Sequence, residues 1–171
     1  MKIAILTNEY PPYIYGGAGV HVDYLTNQFR KIDDGAHQIK VISFGDQDIQ
    51  ADALSVKGIE NPLQIETKNP KHVKFLDTMI RNVLSAGMLD DVDIVHCHTW
   101  YSHFAGLLVK QLLNIPLVLT THSLEPHRPW KVEQLGTAYD ASSWIERTAY
   151  ENADGVVAVS ASMKSDVNDL Y

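Results

Sequence analysis

The sequence has a single cysteine, Cys97, in 171 residues, so no internal disulfide can form. That fits a reducing compartment, and a cytoplasmic location is the expectation. Positive charge is also scarce: 14 Lys and Arg against 21 Asp and Glu leave a formal net charge of −7. A surface that acidic gives nucleic acid or anionic lipid no electrostatic hold, so neither is an expected partner. An anionic ligand would need backbone N–H groups or a few placed cations. Long apolar runs are missing, and with them any membrane span. Met1-Lys2 runs into Ile3-Ala4-Ile5-Leu6, too short for a signal segment, and Glu9 follows at once. There is no internal repeat and no low-complexity tract. What remains is 45% hydrophobic, within the globular range, and of a length that suggests one domain spanning residues 1–171.

Five short runs rich in Val and Ile stand out: Lys2 to Thr7, Ile39 to Phe44, Asp93 to Cys97, Leu117 to Thr121 and Gly155 to Ser160. Most are apolar throughout rather than alternating, as strands buried on both faces of a parallel sheet are. Between them lie stretches with helical periodicity. The stripes are Val20, Tyr24, Leu25 and Phe29; Val73, Leu76, Ile80 and Leu84; Phe104, Leu107, Leu108 and Leu112; and Trp144, Ile145, Thr148 and Ala149. Strands alternating with helices predict an α/β fold, a doubly wound, Rossmann-like parallel sheet. Two segments break the rhythm. Gly45 to Asn69 is polar and reads as an irregular crossover. Ser123 to Gly136 carries Pro126, Pro129, Trp130 and the charged residues Glu125, Arg128, Lys131 and Glu133 directly after a strand. Loops after strand C-termini build the ligand site of such sheets, which makes this one a candidate binding loop against the plainer reading of a surface excursion.

Gly16-Gly17-Ala18-Gly19 follows the first strand and opens the first helix. Glycines there let backbone approach a phosphate, and the helix N-terminus adds unpaired N–H groups and partial positive charge. A dinucleotide fingerprint is not met. Val22 stands where a third glycine or alanine belongs, and no acidic residue closes the second strand at Ser43-Phe44. His96 and His98 flank Cys97 at the end of the third strand and point to one face. Nothing at metal-site spacing supplies a third ligand, so no metal is expected. His122 ends the fourth strand. Together with Glu9 and His98 it places polar side chains at one strand-end crevice, the usual ligand site of an open α/β sheet.

These residues resemble a known family. Glu9-Tyr10-Pro11-Pro12 and Tyr15-Gly16-Gly17-Ala18-Gly19-Val20-His21-Val22 look like the start of family-four GT-B glycosyltransferases. Asp93-Ile94-Val95-His96-Cys97-His98-Thr99-Trp100 looks like their third strand. The run from Thr121 to Gly136, with Ser142-Ser143-Trp144-Ile145-Glu146-Arg147 and Val159-Ser160-Ala161-Ser162-Met163, resembles the actinobacterial-type glycogen synthases, a group that includes makers of maltose 1-phosphate. Tyr15 stands where bacterial glycogen and plant starch synthases carry a lysine, and Thr99 where they carry an aspartate; both differences point away from that branch.

The resemblance implies the N-terminal, acceptor-side half of a GT-B fold. The nucleotide-binding C-terminal domain, its expected partner, is absent from residues 1–171, so this fragment alone is expected to be inactive. It also implies a retaining hexosyltransferase that moves glucose from ADP-glucose or UDP-glucose to an α-glucan or glucose 1-phosphate. The nucleotide sugar is then a substrate and no separate cofactor is expected. Gly16, Gly17 and Gly19 fall on the glycines that approach the donor diphosphate, and His122 on the histidine at the transferred sugar. Glu9, His98, Thr99 and Trp100 fall on the acceptor side. Arg128 and Lys131 are candidates for an anionic acceptor. Sucrose-type and lipid-directed transferases, a GT-B-like epimerase, and a non-catalytic sugar or nucleotide-binding module are the alternatives.

Overall fold

The computed structural model describes residues 1–171. One seven-stranded sheet runs through it, formed by β1 (Lys2–Leu6), β2 (Gln38–Phe44), β3 (Asp48–Ala51), β4 (Leu54–Ile59), β5 (Ile94–His98), β6 (Leu117–Thr121) and β7 (Gly155–Ala158). The spatial order is β3-β4-β2-β1-β5-β6-β7, and every neighbouring pair is parallel except β3 with β4. The helices are α1 (Gly17–Phe29), α2 (Val73–Gly87), α3 (Trp100–Leu113), α4 (Lys131–Leu135), α5 (Ala138–Asn152) and α6 (Ala161–Leu170). This is the doubly wound, Rossmann-like architecture. The five apolar runs of the sequence are β1, β2, β5, β6 and β7. No helix is long and apolar enough to cross a membrane.

Two-sided burial explains the unbroken apolar character of the central strands. Along β1, Ala4 and Leu6 enter a core of 16 residues on one face, while Ile3 and Ile5 enter a second core of 7 on the other, beneath α1. Alternate side chains leave a strand on opposite faces, so a strand covered twice is apolar over most of its length, with the polar residues of β5 and β6 gathered toward their C-terminal ends.

Three expectations need correction. The segment from Gly45 to Asn69 is not simply an irregular crossover, because it contains the β3–β4 hairpin that widens the sheet beyond β2. Its strands escape the apolar signal because β3 is solvent-exposed along its length and β4 buries only Val56 and Ile59. In α1, Val20 and Tyr24 are exposed, and the buried face is Gly19, Val22 and Thr26. In α2, Val73 and Leu76 lie outward while Thr78, Asn82, Ser85 and Ala86 are buried. Hydrogen bonds account for that inversion. Asn82 Oδ1 accepts from the Ala105 N–H at 2.8 Å, and its Nδ2 donates to the carbonyls of Thr78 and Tyr101 at 2.7 and 2.6 Å. A buried amide is tolerated when its groups are paired, and here it bridges α2 to α3.

α3 rests on the sheet through a small-residue face, with Ala105 and Gly106 buried and Leu112 exposed. A Cβ on Gly106 would overlap Cys97 Sγ and come within 2.9 Å of Leu117 Cδ1. Gly106→Ala is therefore expected to force α3 off the sheet at a cost of about 1–3 kcal/mol. Calorimetry should record a Tm drop of roughly 2–4 °C per kcal/mol. An unchanged Tm would show that this contact is not tight.

Candidate active site at the strand-end crevice

A crevice of about 860 Å³ opens where β1, β5 and β6 end, within the size range of small-molecule sites. Glu9, Gly16, Gly17, Thr99, His122 and Arg128 all line it. Four others of the residues singled out from sequence do not: Gly19, His98, Trp100 and Lys131 are buried behind or beside it.

The glycine turn is built around Glu9. Its Oε2 accepts the N–H groups of Tyr15 and Gly16, at 3.0 and 2.8 Å. This carboxylate, expected on the acceptor side, therefore organises the turn. Gly19 is required by the same residue: a Cβ there would lie 2.9 Å from Glu9 Cβ and 3.2 Å from Ile14 Cγ2. Gly19 thus makes room for the protein's own packing rather than for a ligand. Gly17 differs, because a Cβ on it would meet nothing within 4 Å, in the direction of solvent. α1 begins there with no side-chain cap and no acidic residue in its first turn. The opening N–H groups of a helix have no intrahelical partner, so this terminus attracts anions, and the Glu9 carboxylate already holds the N–H of its capping residue Gly16.

Opposite it lies a group of histidines. His96 and His98 emerge from one face of β5, His122 follows β6, and His21 comes from the second turn of α1. His98 Nδ1 and His122 Nε2 are hydrogen-bonded at 3.0 Å, and His96 Nε2 meets Thr120 Oγ1 at 2.7 Å. The His21 ring stands edge-on to His122, 5.0 Å between centroids. Burial holds three of these rings neutral: His96 and His122 are pushed down to about 4, and His98, wholly buried, well below its usual range. The sequence spacing offered His96 and His98 as a possible pair; the fold instead groups His98 with His21 and His122, one ligand nitrogen from each lying within 4.8 Å of the others. Neutral imidazoles suit zinc or copper. In the observed geometry, however, His98 and His122 turn those nitrogens on each other.

Thr99 caps α3 with a φ of +67°, a region β-branched residues rarely occupy, and its hydroxyl donates to Asn8 Oδ1 at 2.9 Å. Such strain is held by surrounding structure and concentrates at functional sites. Trp100 is 3% exposed and stacks on Tyr101 and Phe75, so it cannot meet an acceptor in the crevice. Tyr101 lines the crevice instead, as do Lys74 and Arg81 of α2. Sequence reasoning missed these three because they sit on elements whose side chains only tertiary packing aims.

The binding loop is partly helical, with a 3-10 turn at Glu125–His127 leading to α4. Its two cations part ways. Arg128 faces the crevice, its Nη1 3.3 Å from Ser123 Oγ. Lys131 is 5% exposed, and its Nζ donates to the fully buried Glu125 at 2.5 Å. Glu125 also accepts from Ser142 Oγ at 2.9 Å, while its backbone N–H donates to Glu146 at 2.7 Å. Lys131 is therefore an anchor of the loop, not a free ligand for an anion.

The chain belongs to glycosyltransferase family 4. The model of that family matches residues 15–171. The alpha-maltose-1-phosphate synthase of Mycolicibacterium smegmatis is 43% identical over the whole chain, and that of Mycobacterium tuberculosis 40%. A glycogen synthase of M. tuberculosis is 24% identical. The chain spans 41% of the length of the two maltose-1-phosphate synthases and 45% of that glycogen synthase. Among solved structures, a sucrose-phosphate synthase from Thermosynechococcus elongatus superposes with a TM-score of 0.73 at 16% identity, covering 99% of this chain and 45% of the other. The catalytic domain of starch synthase IV from Arabidopsis thaliana superposes with 0.55 at 16% identity, covering 90% and 44%. These likenesses identify the fold as the corresponding part of a GT-B glycosyltransferase. In this family-4 chain the glycine turn and His122 therefore share the mouth of one GT-B half.

Removing Lys131 would leave the buried Glu125 with only the longer, 3.9 Å pairing to Arg128. Lys131→Met should thus lower unfolding free energy by about 3–5 kcal/mol in urea titrations. A variant of normal stability would return Lys131 to the list of free cations. His103 gives a second test. It is buried to 1%, neither ring nitrogen has a partner, and burial pushes it down to about 3. Its folded value lies below the unfolded 6.5, so its penalty is absent above that pH and grows as pH falls from 6.5 toward 3. His103→Leu should gain on the parent by up to about 1.4 kcal/mol per pH unit across that window. Parallel stability curves for the two proteins would contradict this.

Proposed function

We propose that the crevice is the acceptor-side half of the active site of a retaining glucosyltransferase. Its donor is ADP-glucose or UDP-glucose, and its acceptor is an α-glucan or glucose 1-phosphate. The nucleotide would be held by a second domain of the same polypeptide, beyond residues 1–171, and the nucleotide sugar enters as substrate with no separate cofactor. One observation carries this reading: Gly17, which serves no packing purpose within the chain, opens on the same crevice as His122. A backbone free of Cβ at a helix N-terminus suits a diphosphate, and His122 on the same crevice would contact the attached sugar.

The transition state has oxocarbenium character at the sugar and growing negative charge on the departing diphosphate. The N–H groups at Gly17 and Ala18, which line the crevice, would stabilise that charge. His122 serves as a positioning donor for the sugar. Its pKa of about 4 makes it a poor base at neutral pH, and its hydrogen-bonded partner is another neutral imidazole rather than a carboxylate. The acceptor's proton then passes to the leaving phosphate on the same face. Arg128 is a crevice cation whose guanidinium suits an acidic acceptor. Its likeness to the mycobacterial maltose-1-phosphate synthases supports a maltose 1-phosphate product.

In the two-domain enzyme, Gly17→Val should raise the donor KM about tenfold or more with little change in Tm, because the new side chain fills only the space meant for phosphate. His122→Ala should lower kcat by about 100-fold, on the order of 3 kcal/mol, and leave the protein folded. Isothermal binding and initial-rate assays with both nucleotide donors decide the matter. Near-normal rates in both variants would remove the crevice from the reaction. Tight sugar-nucleotide binding without turnover in the parent would favour the non-catalytic module.

A further inference from the structure

His98 does not reach the crevice. It is fully buried at the end of β5, yet its Nδ1 lies 3.0 Å from the Nε2 of His122, which does. Both rings are held neutral by burial. A neutral imidazole carries one N–H, so one ring of this pair donates and the other accepts. The two arrangements differ in what they leave behind. His98 Nε2 has no partner and no access to solvent. If His98 accepted through Nδ1, its proton would sit on that orphaned Nε2, a buried N–H with nothing to bond. Orphaned buried donors are rarer than under-satisfied acceptors. If His98 donates through Nδ1, the buried nitrogen is only a lone pair. His122 Nδ1 makes no bond within the protein and is not among the buried orphaned atoms, so it opens on the crevice.

We propose that His98 is a positioning residue that donates its Nδ1–H to His122 Nε2 and so holds His122 as the Nδ1–H tautomer. His122 then presents a hydrogen-bond donor, not a lone pair, to the ligand. The chemistry it recognises is an acceptor oxygen, such as a sugar hydroxyl. A side chain fixed in this way also keeps its ring plane, because rotation about χ2 would break the bond to His98. The effect of His98 on turnover rests on the role given to His122 above, whereas its effect on the His122 tautomer does not.

The test reads the tautomer directly. Multiple-bond 15N–1H spectra of the labelled protein at pH 7 distinguish a protonated from an unprotonated ring nitrogen. The expected result is a protonated Nδ1 and bare Nε2 on His122, with a protonated Nδ1 on His98. His98→Leu removes the donor and should shift His122 toward a mixture that includes the Nε2–H form. His98→Gln keeps an amide donor and should restore much of the Nδ1–H form. In the two-domain enzyme, kcat should fall about tenfold or more in His98→Leu and recover in His98→Gln, with the donor KM little changed. A parent spectrum with Nε2–H on His122 overturns the proposal, and so does an unaltered His122 tautomer in a folded His98→Leu protein. Should that variant fail to fold, the parent spectrum alone decides. An unchanged kcat alongside a shifted tautomer would leave the His98 assignment standing and sink the role of His122 in transfer.

Discussion

Everything about the crevice follows from a sheet covered on both faces. With helices packed above and below, β1, β5 and β6 leave little of their central length where a polar side chain can reach water. Chemistry is confined to the strand ends. That is where Asn8, Glu9, Thr99 and His122 stand, with His98 just beneath them. Parallel pairing brings these ends to one edge, so groups roughly ninety and a hundred and ten residues apart in the chain share a single mouth.

At that mouth, two charges are taken up internally so that others stay free. Glu9 spends its carboxylate on the N–H groups of Tyr15 and Gly16, which shapes the glycine turn and leaves Gly17 and the start of α1 open. Glu125 neutralises Lys131 and, with Glu146 and Ser142, ties the following loop to α5. The loop is thereby fixed, with Arg128 turned toward the crevice. A rigid frame of this kind suits a reaction governed by placement of a sugar and stabilisation of a leaving anion. The histidines share that logic, since burial among one another keeps them uncharged and makes hydrogen-bond direction their main variable.

Much of this was legible in one dimension. The five apolar runs carry the central strands because two-sided burial writes itself into composition at every residue. The glycine cluster after the first strand, and the polar residues ending the first, third and fourth runs, mark the crevice because strand ends are the positions released from that burial. The β3–β4 hairpin was not legible, since a strand exposed on its outer edge has no reason to be apolar. The buried faces of α1 and α2 were misread for a related reason. Gly19 is selected for closeness to Glu9 and Asn82 for its hydrogen bonds to α3, and neither requirement shows in hydrophobic periodicity.

The sequence by itself determined the fold class, the place of the glycine turn and the position of His122 at a strand end, all of which depend on local pattern along single elements. Only the tertiary structure decided how the polar residues divide their labour. It turned Glu9 inward, buried Lys131 and Trp100, brought His21 beside His98 and His122, and left Gly17 and Arg128 facing the crevice. The reason is that a residue's type states what it can bond, while its partner is set by which elements the chain crossovers bring together.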